Sequence, residues 1–452
     1  MKKQNVIIVG AGPAGIFTAL SLLKKGVRDI VMLDMGRDIF FRDRKRGKGG
    51  DLLSGWGGAG AFSDGKLTLT TEIGGFLNEL IPRKKLMTLI HEADTIYRDY
   101  GGSPFVYGDN PEGIEEIKRL SKLAGMEFIP MRIRHLGTEN CLTILKNIRN
   151  SLEGKVIIRT DTKVKTIVTE QGRVSGVQLH DGEIIKGNVV VSAPGRVGSS
   201  WMQGEANRMN LISVPSPVDI GVRVELPAAV LQPLTDATYE SKLIYYSKSF
   251  DDKVRTFCMN PYGEVVTEEV DGIVTVNGHS YAHTKTDNSN FALLVSSSFT
   301  EPFDDPIGYG KYIAKLANLL GRGVIVQRLG DLLDGRRSTP QRLAKCITRP
   351  TLESATPGDL SFVLPYRYLK GIIEMLETMD KIVPGLYSHH TLLYGVEVKF
   401  YSHRIALSRQ LESTVQNLFV IGDGAGITRG LLQASVSGMI AAGSIAKRLL
   451  KP

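Results

Sequence analysis

The sequence is poor in cysteine and lacks a long uninterrupted apolar run. Its 452 residues include three cysteines, Cys141, Cys258 and Cys346, which lie far apart and form no Cys-x-x-Cys pair. This spacing signals neither a redox disulfide nor a zinc knuckle, and we predict no metal site. Such sparse cysteine use favours a reducing, cytoplasmic location. No apolar run approaches the roughly 18 residues of a membrane-spanning helix, so no membrane partner is predicted.

The charge is basic but gives no nucleic-acid signature. The formal net charge is +9, and part of it comes from the stretch Gly36–Asp51. A nucleic-acid footprint typically interleaves basic residues with aromatic stacking groups or carries a known motif. The basic residues of this stretch follow neither pattern. A solvated loop beside an anionic ligand is therefore favoured over a nucleic-acid-binding surface, which we keep as the alternative.

The N-terminal residues have the pattern of a β–α–β unit. Val6–Val9 is a run of β-branched residues, as expected for a strand buried in a parallel sheet. Pro13–Lys25 has the apolar spacing of a helix, and Asp29–Asp34 is a second buried strand. Further helices are predicted at Pro82–Tyr100, Pro111–Ala124, Thr138–Leu152, Gly310–Leu320 and Arg367–Met379.

The period of the pattern changes twice along the chain. From Lys155 to Val191, short strands alternate with turn residues, which predicts a meander of hairpins. A second strand-rich block begins near Ile212. We predict an α/β protein with a Rossmann-like cofactor-binding domain (a parallel sheet plus a β-meander) and an inserted, β-rich α+β substrate domain. The predicted boundaries are 1–211 for the first part of the cofactor domain, with a helical insertion at 75–153, then 212–390 for the substrate domain and 391–452 for the second part.

A G-x-G-x-x-G motif follows the first strand and opens the first helix. Gly10 allows the tight turn, Gly12 leaves room for a pyrophosphate, and Gly15 lets the helix pack closely on the sheet. Asp34 ends the second strand at about the 20-residue spacing of a residue that binds ribose hydroxyls. An acidic residue at this position favours an adenosine ribose without a phosphate.

A second strand–glycine–helix unit at Asn417–Gly443 decides between NAD and FAD. A simple NAD dehydrogenase has no use for it, whereas FAD is longer and needs a second strand end for its flavin half. Asp423 would accept hydrogen bonds from ribityl hydroxyls. The helix that begins near Gly430 would direct its N-terminal amides at the pyrimidine edge of the flavin. The two ends of the chain are therefore predicted to hold the two ends of one FAD.

Two further segments agree with a dinucleotide site. The strand in Val189–Arg196 ends in small residues, and Gly57–Leu67 offers backbone amides to an anion, although a surface Ω-loop explains that segment equally well. FAD is predicted to bind without a covalent bond. The predicted FAD-binding residues are Gly10, Gly12, Pro13, Ala14, Gly15, Asp34, Met35, Ser63, Asp64, Gly65, Lys66, Val164, Ala193, Gly195, Gly422, Asp423, Gly430, Leu431 and Leu432.

Together these motifs resemble the two-domain flavoproteins of the glutathione-reductase-like superfamily, and within it the group called uncharacterised FAD-dependent dehydrogenases. The resemblance is carried by the glycine turns and by Arg134–Asn140, Gly221–Pro227, Phe257–Val266, Val276–Ala282, Asn290–Ser296 and Leu393–Glu397. It implies a FAD domain with an inserted substrate domain and flavin-dependent redox chemistry. The chain departs from the family near the flavin, where it has Lys399, Arg404, Asp423, Thr428 and Arg429 in altered runs.

The reaction class follows partly by exclusion. A disulfide reductase needs a cysteine pair, an aromatic hydroxylase usually has an aspartate where this chain has Pro194, and no second G-x-G-x-x-G unit for a pyridine nucleotide occurs. We predict a FAD-dependent dehydrogenase or reductase of a small, anionic organic substrate, with transiently bound NAD(P)H or an electron-carrier protein as partner. A flavin-dependent monooxygenase, a nucleic-acid-directed flavoprotein and a non-redox scaffold stay as alternatives.

The candidates for catalysis come from two short motifs. His279 and Tyr281, and His403 with Arg404, are the candidates for proton transfer, although each is more often structural. Arg404 or Lys66 is the candidate for holding a substrate carboxylate.

Overall fold

The computed structural model describes residues 4–42, 53–270, 272–281, 284–297, 299, 302 and 305–450. Most of the predicted basic loop Gly36–Asp51 falls within 43–52, outside these residues. His283, which follows His279 and Tyr281 in the sequence, also lies outside them. The described chain divides into two compact units. Unit 1 contains 1–105, 134–216 and 401–452, and unit 2 contains 106–133 and 217–400.

The strands are, in chain order, β1 (Gln4–Val9), β2 (Ile30–Leu33), β3 (Lys66–Thr68), β4 (Glu127–Ile129), β5 (Ile133–His135), β6 (Ile157–Arg159), β7 (Val164–Glu170), β8 (Arg173–Leu179), β9 (Ile184–Ser192), β10 (Ser213–Val214), β11 (Val218–Pro227), β12 (Lys242–Tyr246), β13 (Lys253–Asn260), β14 (Glu264–Val270), β15 (Ile273–His279), β16 (Asn288–Ser297), β17 (Ile325–Arg328), β18 (Thr356–Pro357), β19 (Leu392–Lys399), β20 (Arg404–Ile405) and β21 (Leu418–Val420).

The α-helices are α1 (Pro13–Lys24), α2 (Leu77–Leu80), α3 (Arg83–Asp99), α4 (Pro111–Leu123), α5 (Thr138–Leu152), α6 (Ser199–Arg208), α7 (Ala228–Thr238), α8 (Pro306–Gly321), α9 (Leu329–Leu333), α10 (Pro340–Leu343), α11 (Tyr366–Asp380) and α12 (Leu431–Leu449). In the part of the chain that the structure describes, no helix has the length and apolar character needed to cross a membrane.

Unit 1 is built on a parallel sheet that continues into an antiparallel meander. The strand order is β6-β2-β1-β9-β8-β7, and β21 also pairs with β9. β1 runs parallel to both of its neighbours, with Val6 opposite Ile30 on one side and Val189 on the other. β8 is antiparallel to both β9 and β7. The central strands are buried runs of Val and Ile because helices cover such sheets on both faces.

Helices α1 and α12 pack closely in unit 1. A Cβ on Gly438 of α12 would collide with the carbonyl oxygen of Ala14 in α1, so only glycine permits this approach. Thr18 of α1 donates a hydrogen bond back to the Ala14 carbonyl (2.8 Å). The first and last described helices of the chain are thus adjacent within one unit.

Unit 2 contains an eight-stranded sheet in the order β18-β17-β19-β11-β16-β13-β12-β4. The alternation in β11 sorts its residues onto two faces. Val218, Val222 and Leu226 join an apolar core that includes residues of α8 and α11. Asp219, Arg223 and Glu225 occupy the other positions and are also buried.

The structure confirms the α/β fold class but draws the unit boundaries differently from the sequence. The helical insertion was expected to belong wholly to the cofactor domain, yet 106–133 lies in unit 2 because β4 extends its sheet, with Phe128 opposite Leu243. Residues 391–400 were assigned to the C-terminal part of the cofactor domain. They belong to unit 2, since β19 pairs with both β11 and β17 in the middle of its sheet. Strand pairing, which local pattern does not encode, decides both assignments.

Candidate functional site

Neighbouring backbone atoms pack tightly against Gly10 and Gly15 of the glycine turn between β1 and α1. Gly10 has φ +105°, and a Cβ there would collide with the carbonyl oxygen of Ala193 at the end of β9. A Cβ on Gly15 would collide with the Gly10 carbonyl oxygen. Both glycines are therefore required by packing, as the motif predicts.

Gly12, by contrast, faces open space. A Cβ built on Gly12 meets no atom within 4 Å, although neighbouring glycines are tightly enclosed. Gly12 is the N-cap of α1, Pro13 is the first helical residue, and no side chain caps the helix. The first amides of an α-helix lack intrahelical partners and attract anions. The room and the uncapped helix end fit a pyrophosphate.

Asp34 has a structural task that the sequence did not predict. Its carboxylate accepts hydrogen bonds from the backbone amides of Ala11 (2.7 Å), Gly36 (2.9 Å) and Gly55 (2.7 Å). It thereby ties the glycine turn to two loops. A carboxylate offers about four lone-pair sites, so capacity for a ribose hydroxyl remains. Ribose binding by Asp34 stays a prediction, as does contact with the half-exposed Met35 beside it.

The segment that starts at Gly57 lies directly on the glycine turn. The Gly57 amide donates to the Ala11 carbonyl (2.8 Å), and a Cβ on Gly58 would be 3.3 Å from Gly12 Cα. Arg42, which is buried, donates to the carbonyl oxygens of Trp56 (2.5 Å) and Gly58 (3.0 Å). These contacts favour a ligand-facing segment over a surface Ω-loop.

The polar residues at the end of this segment are largely neutralised by one another. Lys66 Nζ lies 3.1 Å from Asp64 Oδ2, and both side chains are mostly buried. Ser63 accepts a hydrogen bond from the Gly65 amide (3.2 Å). Burial lowers the pKa of the nearby His135, and the Asp64 carboxylate only partly opposes this shift. Lys66 is therefore less suited to hold a substrate carboxylate than the sequence indicated.

At the other end of the chain, the turn after β21 meets the turn after β9. A Cβ on Gly424 would be 2.7 Å from Cγ of Pro194. Asp423 accepts hydrogen bonds from Thr428 Oγ1 (2.8 Å) and from Arg196 Nε (3.1 Å). Gly195 has φ +63° and, like Gly12, open space where a Cβ would lie.

The N-terminus of α12 reaches the same place as that of α1. Gly430 is its N-cap, with φ +106°, open space at the Cβ position and no side-chain cap. A Cβ on Gly60 would lie 2.8 Å from Leu431 Cδ2 and 3.5 Å from Pro13 Cγ. The first residues of both helices therefore lie against one short 3-10 helix, Gly58–Phe62, which contains Gly60. This geometry explains how the two ends of the chain contribute to one site.

The remaining predicted residues line the same region. Gly422 has φ +72°, and its Cβ would be 3.0 Å from that of Ala14. Val164 starts β7 and is buried, two residues after Thr162, whose amide donates to the Asp34 carbonyl (2.8 Å). Unit 1 thus brings most of the predicted residues close to the two helix ends, and their assignment to FAD stays a prediction.

An aromatic–guanidinium stack that the sequence reasoning missed precedes α12. Arg429 Cζ lies 3.4 Å from the Tyr401 ring centroid and 5.1 Å from that of Phe76. Arg404 lies over the same Phe76 ring at 4.6 Å and pairs with Glu79 (2.5 Å). Arg404 therefore already has a carboxylate partner. Phe76, Tyr401 and Arg429 lie far apart in the chain, so no local sequence pattern indicates this stack.

The proton-transfer candidates fall in different units. His279 and Tyr281 are separated by one residue in unit 2, and their ring centroids lie 6.4 Å apart. The Tyr281 hydroxyl donates a hydrogen bond to Glu264 (2.8 Å). His403 belongs to unit 1, where its Nε2 lies 3.4 Å from Gln203 Nε2. Their catalytic roles stay predictions.

Unit 2 holds a charged group that the sequence reasoning also missed. Arg223 Nε lies 2.9 Å from Glu397 Oε2, and both side chains are fully buried. Lys399 Nζ is 3.1 Å from the other Glu397 oxygen. Arg223 also donates to the Cys258 carbonyl (2.7 Å) and to Asn277 (3.1 Å). The alternation of charged with apolar residues in β11, interrupted by Gly221, and in the last four residues of β19 was the signal for this polar face.

A family model described as "FAD-dependent protein, C-terminal domain-like" matches residues 217–400, which is the larger part of unit 2. An uncharacterised protein of Clostridium beijerinckii is 29% identical over 492 aligned positions, which cover all of this chain and 82% of that protein.

Three solved structures are similar at low identity. A mutant of E. coli quinol fumarate reductase is 13% identical, with a TM-score of 0.42, over 99% of this chain and 70% of that one. Glycerol-3-phosphate dehydrogenase from Bacillus halodurans, complexed with FAD, is 11% identical with a TM-score of 0.41, over 100% and 66% of the two chains. Glycine oxidase from Bacillus cereus is 14% identical with a TM-score of 0.39, over 99% and 96%.

The description of this family agrees with the predicted FAD cofactor and with the predicted class, a FAD-dependent oxidoreductase. The match lies in unit 2, whereas the glycine turns lie in unit 1, so the two observations are independent.

Proposed function

We propose that unit 1 holds FAD across the two helix ends and that the protein transfers a hydride between the flavin and a small, anionic organic substrate. The observation that carries the proposal is the meeting of two uncapped helix N-termini at Gly12 and Gly430, both with open space at the Cβ position. Bound FAD supplies the hydride-transfer chemistry, and the chain supplies orientation and electrostatics.

The residues around the helix ends have distinct proposed roles. The first amides of α1 would bind the pyrophosphate, and Asp423 would bind ribityl hydroxyls while Thr428 holds its other oxygen. The N-terminus of α12 and the adjacent Arg429 would place positive charge at the pyrimidine edge. Positive charge there stabilises the negative charge that develops on reduction, so it favours electron acceptance.

The superfamily, the cellular location, the electron partner and the proton-transfer residues are part of the same proposal. We place the chain in the glutathione-reductase-like flavoprotein superfamily and in the cytoplasm. The partner that supplies or removes electrons is proposed to be transiently bound NAD(P)H or an electron-carrier protein. His279 and Tyr281 are the proposed proton-transfer pair, since they lie together in unit 2 and Tyr281 is already hydrogen-bonded to a carboxylate.

The test is a flavin-reduction screen of the purified protein. The protein should retain FAD through gel filtration, and anaerobic NADH, NADPH or reduced ferredoxin should bleach its flavin absorbance. If NADH alone bleaches the flavin, NADH is sufficient as the electron donor and no electron-carrier protein is required. Protein that stays colourless after incubation with excess FAD would refute the proposal.

A further inference from the structure

Three basic side chains in unit 2 converge on one aromatic ring. Lys242 Nζ lies 5.6 Å from the Phe257 ring centroid, Arg255 Cζ lies 5.0 Å from it, and Lys399 Nζ lies 6.0 Å from it. They come from β12, β13 and β19, strands that are not all neighbours in the sheet. We call Lys242, Arg255, Lys399 and Phe257 the Phe257 cluster.

Small residues on the intervening strands let these side chains meet. Phe257 is opposite Ala292 in the sheet, and Gly221 of β11 is opposite Glu397 of β19. The register of β13 also shifts between Phe257 and Asn260, a bulge of the kind that redirects side chains. The cluster therefore occupies the polar face of the sheet, opposite the apolar core.

The carboxylates of this face neutralise only part of the cluster. Asp219 pairs with Arg255 and accepts a further hydrogen bond from Ser296 (2.6 Å). Glu397 is shared between Lys399 and the fully buried Arg223. Glu268 lies 3.9 Å from Lys399 and is substantially exposed.

Lys242 is the member whose charge is not balanced. Among the described residues, no carboxylate lies within ion-pair distance of its ammonium, which lies instead over the Phe257 ring. Burial, and then the nearby Arg255, lower the pKa of Lys242 well below its ordinary value, while Glu240 and Asp219 oppose the shift and Lys253 adds to it. An anion at this place would supply the missing counter-charge.

We propose that the Phe257 cluster binds the anionic oxygen group of the substrate, a carboxylate or a phosphate. Lys242 and Lys399 would donate charge-assisted hydrogen bonds to it, Arg255 would add positive charge, and the ring would contact the carbon atoms next to it. The proposal names the substrate class of the proposed function and rests on it for calling this ligand the substrate. Anion binding itself does not depend on flavin chemistry.

The experiment is isothermal titration calorimetry of the purified 452-residue protein with malonate and with inorganic phosphate, against sodium chloride at matched ionic strength. We expect one saturable site for at least one of the two probes, and the stronger probe distinguishes a carboxylate from a phosphate. Lys242→Met and Lys399→Met should each weaken binding about tenfold, because each removes a charge-assisted hydrogen bond.

Matched controls separate the site from general charge effects. Lys315→Met makes the same substitution at an exposed position of α8 in unit 2 and should leave the dissociation constant unchanged. Lys242→Met should also fold, because it removes an unbalanced charge while it keeps a long apolar side chain. Absence of saturable binding of either probe to the wild type, or equal affinity for wild type and Lys242→Met, would overturn the inference.

Flavin content, read from the absorbance of the same samples, separates this inference from the proposed function. Retained FAD without anion binding would refute the anion site alone. Anion binding by protein that takes up no FAD would refute the proposed function and leave the anion site standing.

Discussion

Unit 1 leaves backbone amides and glycine Cα atoms open at its helix ends, whereas unit 2 buries charged side chains on one face of its sheet. In unit 1 the residues with open space at the Cβ position include Gly12, Gly195 and Gly430. In unit 2 the central residues are Arg223 and Glu397, both without solvent exposure.

The difference reflects two ways to recognise a polar ligand. Backbone amides at helix ends recognise phosphate through a fixed local geometry, which needs glycine at defined spacings. Charged side chains can be placed on any strand, but their burial is costly unless each has a partner. Changes in unit 1 should therefore affect cofactor affinity, and changes among the buried charges of unit 2 should affect stability. Four predictions test this contrast, from the largest expected effect to the smallest.

Glu397→Gln should lower the free energy of unfolding by about 3 to 5 kcal/mol, because it leaves the buried Arg223 without a carboxylate. Urea denaturation followed by circular dichroism measures this change. Glu268→Gln removes a more exposed carboxylate near the same Lys399 and should cost about 1 kcal/mol or less. Equal losses from the two variants would show that burial does not set the cost.

Gly12→Ala should weaken FAD binding about tenfold to a hundredfold, which is roughly 1.4 to 2.8 kcal/mol, while the apoprotein keeps its stability. The added methyl group meets no protein atom but enters the room proposed for the pyrophosphate. Fluorescence titration of the apoprotein with FAD gives the affinity. Gly204→Ala, on α6, also places a methyl group in open space and should leave FAD affinity unchanged. Unchanged affinity in Gly12→Ala would place the pyrophosphate elsewhere.

Asp34→Asn should destabilise the apoprotein by about 1 to 2 kcal/mol, because an amide group replaces an oxygen that accepts a backbone hydrogen bond. Urea denaturation without FAD measures the loss. Asp99→Asn, at the exposed end of α3, should change stability by about 0.5 kcal/mol or less. If Asp34→Asn weakened only FAD affinity, its main task would be ribose binding instead of loop attachment.

Glu205, a buried carboxylate of unit 1, should give the smallest effect. Burial alone would raise its pKa, but hydrogen bonds from Arg208, the Ile167 amide and Thr166 outweigh burial and lower the pKa below the ordinary 4.5. A lowered pKa in the folded state means that the stabilisation is present above pH 4.5 and is lost as the pH falls through the folded pKa.

Thermal unfolding scans from about pH 7 to about pH 3.5 test this titration. Glu205→Gln should lower Tm by about 2 to 4 °C at neutral pH and flatten the decline toward acid. If the Tm of Glu205→Gln fell toward acid pH as steeply as that of the wild type, the loss of stability in acid would come from other carboxylates. Because Arg208 is partly exposed, the loss should be smaller than that of Glu397→Gln.

The proposed FAD site could be predicted from the sequence because its elements are local. The strand, the glycine turn and the first helix follow one another within Gln4–Lys24, and β21, its glycine turn and α12 follow one another within Leu418–Leu449. The period of the apolar residues placed most helices within a few residues of their observed bounds, as for the predicted Arg367–Met379 and the observed Tyr366–Asp380.

The buried charged residues of unit 2 could not be predicted from the sequence in the same way. Asp219, Arg255 and Lys399 come from three strands far apart in the chain, and pairing alone brings them together. The same reason explains why the two units of the structure place β4 and β19 differently from the predicted domains. A strand's pattern shows which of its faces is apolar, but not which strand lies beside it.

The sequence by itself determined a β–α–β unit with a glycine turn after β1 and a second glycine turn after β21, because glycine spacing and helix starts are set by local backbone geometry. The tertiary structure alone decided that both helix ends meet at Gly60, that Asp34 binds three backbone amides, and that three basic residues surround Phe257. These contacts join residues far apart in sequence. They form only when the sheets fix which strands are neighbours.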